Sequence, residues 1–169
     1  SALEPGKRIL CSLFQSVTPR TAGFNTVDLT SLRESGQAII ILLMLIGGSP
    51  GSTAGGMKTT TVAVLFATAL STFRRKEDTH FFGRRIEDGV VKNAATIGFL
   101  YVALFLFGGL AISMAEGLPM LTCLFETASA VGTVGLSLGI TPGLGILSRV
   151  ILILLMFFGR VGGLTLIFA

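Results

Sequence analysis

Thr133-Val134-Gly135-Leu136-Ser137 lies between a short apolar segment, Met120 to Val131, and a long one, Leu144 to Phe158. A loop of this composition in this setting suits one kind of chemistry. Its backbone carbonyls can replace the water shell of a cation, as in a potassium selectivity filter. Gly135 supplies the freedom this needs, because glycine reaches backbone angles that other residues avoid. Successive carbonyls can then turn toward one axis, and Thr133 can add a hydroxyl oxygen. No carboxylate lies in the loop, so selection would rest on carbonyl dipoles. Those suit a large monovalent cation better than a divalent one.

Thr-Val-Gly alone is a weak signal in a chain with 22 glycines. Its weight comes from a second copy. Thr21-Ala22-Gly23-Phe24-Asn25 stands 112 positions upstream and also lacks a carboxylate. The register continues without a gap. Ile39-Ile40-Ile41-Leu42-Leu43-Met44 aligns with Ile151-Leu152-Ile153-Leu154-Leu155-Met156, Gly47 with Gly159, Gly51 with Gly163 and Thr53 with Thr165. Leu13-Phe14 and Leu124-Phe125 align after a one-residue slip. Aliphatic matches arise easily between two Ile- and Leu-rich helices. A shared Thr, Gly and Met with three later positions points to an internal structural repeat.

The elements that position these loops are membrane helices. The chain is 51% hydrophobic and 13% charged, where a soluble domain carries about a quarter charged residues. Mean hydropathy is +0.81. The segment Pro5 to Thr18 reads as a helix of about 14 residues, and Met120 to Val131 is equally short. A bilayer crossing takes about 20 residues, so both read as re-entrant or interfacial helices leading into the loops. Asp28, Thr30 or Ser31 can cap the helix that follows the first loop. The fold class is an all-α membrane protein built from repeated, potassium-channel-like helix–pore-loop–helix units.

The inner helix of the first unit is interrupted. Gln37 to Ile46 is apolar, then comes Gly47-Gly48-Ser49-Pro50-Gly51-Ser52-Thr53-Ala54-Gly55-Gly56, then a second apolar run from Thr59 to Phe73. Pro and clustered Gly do not sustain a helix. Unwound backbone at membrane depth is tolerated where it is buried in protein or lines a cavity, so a broken helix points to a functional site. Basic residues orient the chain. Arg74, Arg75, Lys76, Arg84, Arg85 and Lys92 crowd one polar segment, whereas Glu116 to Ile146 has no Lys or Arg. The positive-inside rule puts residues 74–92 in the cytoplasm. The clustered charge is a topology signal and not a nucleic-acid surface. Asn93 to Met114 then spans outward, both loops fall on the outer side, and the repeat is parallel. Lys7, Arg8, Arg20 and Arg33 run against the rule and are assigned to the interface.

Arg160 stands inside an apolar run, where a charge is costly and usually functional. Counted from Leu144 it lies about 16 residues in, roughly 24 Å along the helix, and its repeat mate is Gly48. It is expected to point into the pore below the filter, meet the broken-helix loop and form an electrostatic barrier to cations; the alternative is an Arg snorkelling to the cytoplasmic surface. Lys58 is a second candidate for that gate. Gly51 to Thr59 resembles a phosphate-binding P-loop, but Met57 breaks the spacing and no strand pattern precedes it. A transporter with a midplane substrate pocket is the other alternative, and it leaves the paired Thr-x-Gly loops without a role. Cys11 and Cys123 read as buried core residues, and His80 as solvated in the connector. Glu126, in the second short helix, can bond backbone near the loop in a structural or an ionic role. No catalytic constellation is present, so an enzyme is not expected.

Ser16 to Thr26 resembles the third filter region of the Trk/Ktr/HKT superfamily of potassium transporters. Gly47 to Thr61 resembles the interrupted inner helix after it, residues 125–137 (FETASAVGTVGLS) the fourth filter region, and Gly159 to Thr165 the fourth inner helix. The likeness is strongest to bacterial KtrB-type membrane subunits. It implies four such units around one K+ pore. Residues 1–73 would be the third repeat without its outer helix, 74–92 a cytoplasmic connector, and 93–169 the fourth repeat. Thr21, Ala22, Gly23, Phe24 and Asn25, with Thr133, Val134, Gly135 and Leu136, would form part of the filter. Gly47 to Gly56 would be an intramembrane gating loop under it. The resemblance further implies a homodimer in the cell membrane, a cytoplasmic nucleotide-binding (KtrA/TrkA-like) regulatory ring, and Na+ as a candidate activating or coupling ion. Both ends of the chain look cut, as in a fragment of a longer protein.

Overall fold

The computed structural model describes residues 5–52, 54–75, 80–81 and 84–161. Thr53 of the candidate gate, Lys76 of the connector, and Gly163 and Thr165 of the repeat alignment lie outside the described residues. Six helices carry the described fold: α1 (Pro5–Val17), α2 (Glu34–Leu45), α3 (Thr59–Phe73), α4 (Asp88–Glu116), α5 (Met120–Val131) and α6 (Ile146–Val161). A two-residue antiparallel pair, β1 (His80–Phe81) and β2 (Arg84–Arg85), lies within the connector.

Local sequence explains most boundaries. Pro5 opens α1, where its fixed φ suits the first turn. Pro19 follows its end, and proline disfavours helical backbone at the residue before it. Gly117, at φ 66, closes α4 in the left-handed conformation, and Pro119 caps α5. Asp28 caps a one-turn 3-10 helix, Leu29–Ser31, and not α2. Its Oδ1 accepts from the Thr30 amide at 3.0 Å and the Thr30 hydroxyl at 2.7 Å. These bonds, led by the hydroxyl, hold the carboxyl below its usual range. The contribution is therefore complete above the ordinary carboxylate pKa and is lost as pH falls through the lowered value. α2 begins at Glu34, three residues before the apolar run, because a carboxylate in the first turn favours helix there.

At 29 residues, α4 is long and apolar enough to cross a bilayer. α5, with 12 residues, is not, and it sits at the centre of the packing, touching α2, α4 and α6. Its residues 125–131 are all buried. Glycines allow the close approaches. Gly108 and Gly109 of α4 face Leu155 of α6 and Leu124 of α5, with Thr127 beside both. The Thr127 hydroxyl also reaches the Phe105 carbonyl at 3.3 Å. Large apolar side chains cover the outside of the helices, among them Phe99, Phe107, Ile146 and Phe157, each at least 60% exposed. Soluble monomers rarely present such surface.

Candidate functional site

The two Thr-x-Gly loops share one backbone signature. Among the described residues, three non-glycine residues have positive φ, and two of them are Thr21 (61°) and Thr133 (51°). Gly23 (70°) and Gly135 (93°) also lie at positive φ, while Ala22 and Val134 between them do not. A β-branched residue in this region is an outlier costing about 1–3 kcal/mol, yet both copies adopt it at the same position. In a strand, carbonyls alternate from side to side. Alternating the sign of φ turns successive carbonyls toward one side, the arrangement a cation path needs.

Each loop hangs from the end of its short helix. Ala22 and Gly23 both donate to the Thr18 carbonyl at 3.1 Å, and the Thr18 hydroxyl donates to the Phe24 carbonyl at 2.7 Å. In the second copy, Thr133 donates to the Ala130 carbonyl at 3.1 Å and Val134 to that of Ser129 at 2.9 Å. The Gly135 amide donates to the Ser129 hydroxyl at 3.1 Å. Val134 and Leu136 turn their side chains into the core and are 5% and 2% exposed. Their repeat mates are treated differently: Ala22 is exposed, and Phe24 is 70% exposed. The loops also meet. A Cβ on Gly23 would overlap the carbonyl oxygen of Val134.

The broken helix forms where the sequence places it, between α2 and α3, and its two ends are zipped together. Gly47 donates to the Met57 carbonyl at 2.7 Å, Met57 to that of Leu45 at 3.3 Å, and Thr59 to that of Gly48 at 3.3 Å. Lys58 folds back on the loop, its Nζ donating to the carbonyls of Ser52 and Ala54. The loop lies against the second Thr-x-Gly loop, since a Cβ on Gly55 would overlap the Thr133 side chain. It is also tied to α6, with Gly56 donating to the Gly159 carbonyl at 3.3 Å. Arg160 follows in the last turn of α6. It lines a cavity of about 470 Å³ together with Thr133 to Ser137, Glu126 and Met156. A helix precedes the Gly-rich run where a phosphate-binding loop needs a strand, and Lys58 is engaged by carbonyls of its own loop. That removes the P-loop reading.

The hydroxyl oxygens of Thr21 and Thr133 are buried and have no hydrogen-bond partner. Among the described residues, no three His, Cys, Asp or Glu side chains cluster where they could hold a metal ion. Sequence reasoning passed over the struts. Thr18 and Ser129 hold the loops, and Tyr101 donates to the Gly159 carbonyl at 3.4 Å. Thr18 and Ser129 could have been found, because the one-residue slip that aligns the two short helices also pairs them. Tyr101 left no local signal.

A family model described as TrkH, cation transport protein, matches residues 1–169. The chain belongs to the TrkH family. It is 40% identical over 162 residues to the Ktr system potassium uptake protein B of Bacillus subtilis, covering 96% of this chain and 36% of that protein. It is 38% identical over 167 residues to the potassium/sodium uptake protein NtpJ of Enterococcus hirae, covering 96% of this chain and 37% of the relative. The chain thus spans somewhat over a third of the length of these TrkH-family relatives. Its fold matches the crystal structure of the potassium transporter TrkH from Vibrio parahaemolyticus. The TM-score is 0.82 at 24% identity, over 99% of this chain and 38% of that one. The all-α membrane fold read from the sequence agrees with this likeness.

Proposed function

We propose that this chain contributes two quarters of the K+-conducting pore of a Ktr/Trk-type uptake system in the cell membrane. Residues 1–73 act as one pore unit, 93–169 as a second, and 74–92 as a cytoplasmic connector. Thr21 to Asn25 and Thr133 to Leu136 line the filter and strip water from K+ with carbonyl oxygens, helped by the two threonine hydroxyls. The observation that carries this reading is the shared Thr-x-Gly φ pattern in two loops that touch. Gly47 to Gly56 is the gate. It is supported by the contact between Gly55 and Thr133 and the tether from Gly56 to Gly159. A dimer of complete subunits on a nucleotide-binding regulatory ring suits a protein related to components of Ktr systems, and Na+ would act as an activating or coupling ion.

Rubidium uptake tests the pore. In cells lacking other potassium uptake, the complete system should take up rubidium in competition with potassium and ignore larger organic cations; equal block by bulky solutes would overturn it. Arg160 tests the gate. As a positive charge lining the cavity that runs along the second loop, it raises the barrier to cations. Arg160→Ala should raise potassium flux about tenfold, the effect of removing ~1.4 kcal/mol from a barrier. Unchanged flux would remove the barrier role.

A further inference from the structure

Glu126 is a buried carboxylate, 4% exposed, near the middle of α5. Its Oε1 accepts from the Ser137 hydroxyl at 2.6 Å and the Leu138 amide at 3.0 Å, and its Oε2 from the Thr141 hydroxyl at 2.9 Å. Ser137 in turn accepts from the Gly139 amide at 2.8 Å. One side chain therefore holds the whole exit of the second filter copy, Ser137 to Thr141. These donors are neutral, and burying a carboxylate is costly unless a positive charge compensates it. Glu126 also borders the cavity lined by Thr133 to Ser137.

The charge belongs to one copy of the repeat. The slip that pairs Leu13-Phe14 with Leu124-Phe125 pairs Gln15 with Glu126. Both polar atoms of the Gln15 side chain are buried without a hydrogen-bond partner, so the position that carries a carboxylate in the second copy carries a neutral amide in the first. We infer that Glu126 is a positioning and affinity-setting residue of the ion path. It fixes the outer end of the second loop, and its charge holds permeating monovalent cations at that end. The charge falls on one of the two loops, so the ring of filter oxygens is electrostatically unequal.

This rests on the pore reading, and rubidium uptake by the complete system separates the two. No uptake by the unaltered protein would count against the pore itself. Glu126→Gln keeps an acceptor for Ser137 and Leu138 and removes the charge. It should raise the KM for rubidium about tenfold, as expected for losing a unit charge within roughly 10 Å of the ion at an effective dielectric near 20, with maximal rate within about twofold. Glu126→Ala, which also frees the loop exit, should lower maximal rate and potassium-over-sodium preference as well. An unaltered KM in Glu126→Gln would overturn the inference, including where Glu126→Ala is impaired, since that pair of results describes a neutral strut. If Glu126→Gln does not reach the membrane, Gln15→Glu in the unaltered background decides. A lowered KM supports the inference and an unchanged one overturns it.

Discussion

Gly23→Ala should abolish selective potassium uptake, with rubidium transport falling about 100-fold or more, while Gly135→Ala should cost only about tenfold. Sequence alone treats the two glycines as equivalent. Both lie at positive φ, where a side chain costs roughly 1–2 kcal/mol, and that term accounts for about tenfold in each. The difference lies in what a new Cβ meets. At Gly135 it meets open space within 4 Å. At Gly23 it overlaps the Val134 carbonyl oxygen and comes within 3.2 Å of its carbon. Backbone atoms have no rotamer by which to yield, so one loop must shift against the other. A 1 Å misplacement of functional groups is worth about 100-fold, and here both Thr-x-Gly loops are displaced together. The measurement is rubidium uptake at several potassium and sodium concentrations, normalised to protein in the membrane. Equal effects of the two substitutions would show that the loops do not touch in the working transporter.

Gly159→Ala should lower the stability of the purified protein by about 2–3 kcal/mol, the upper part of the range of about 1–3 kcal/mol for overpacking. A Cβ at Gly159 would overlap the Val131 carbonyl oxygen and stand 2.8 Å and 3.1 Å from its carbonyl carbon and Cα. α6 would have to move off α5 along the helix that suspends the second loop. The same Gly159 carbonyl accepts from the Gly56 amide and the Tyr101 hydroxyl, so the displacement also loosens the tether of the loop between α2 and α3. Thermal unfolding in detergent should show the loss, and potassium leak per folded molecule should rise with it. Tyr101→Phe is the natural comparison. It removes one long hydrogen bond and should cost about 1 kcal/mol or less. If Gly159→Ala unfolds no earlier than Tyr101→Phe, the close crossing of α5 and α6 is not a constraint on the fold.

Local features of the chain were legible because their causes are local. The helix break between α2 and α3 follows from Pro50 and clustered glycines, which no neighbour can make helical. The span of α5 follows from its apolar run between Pro119 and Gly132. The special backbone at Thr21-x-Gly23 and Thr133-x-Gly135 was foreshadowed by the glycines, although the strained threonines were not, because no propensity marks a β-branched residue for positive φ. Helix starts moved by a few residues, at α2 and α6, since capping there is decided by several weak terms of similar size.

By itself the sequence determined the membrane class, the repeat, the two candidate loops and the position of the break, all of which depend on residue type and spacing. Only the tertiary structure decided which of these touch. It brought Gly23 to Val134, Gly55 to Thr133, Gly56 to Gly159, and Glu126 to Ser137 and Thr141. It also separated the two copies. Leu136 is buried in a core shared by α2, α4 and α5, and its mate Phe24 is exposed. The physical reason is that a repeat in sequence sets each backbone through short-range sterics, whereas burial and charge environment come from whatever segments pack around each copy.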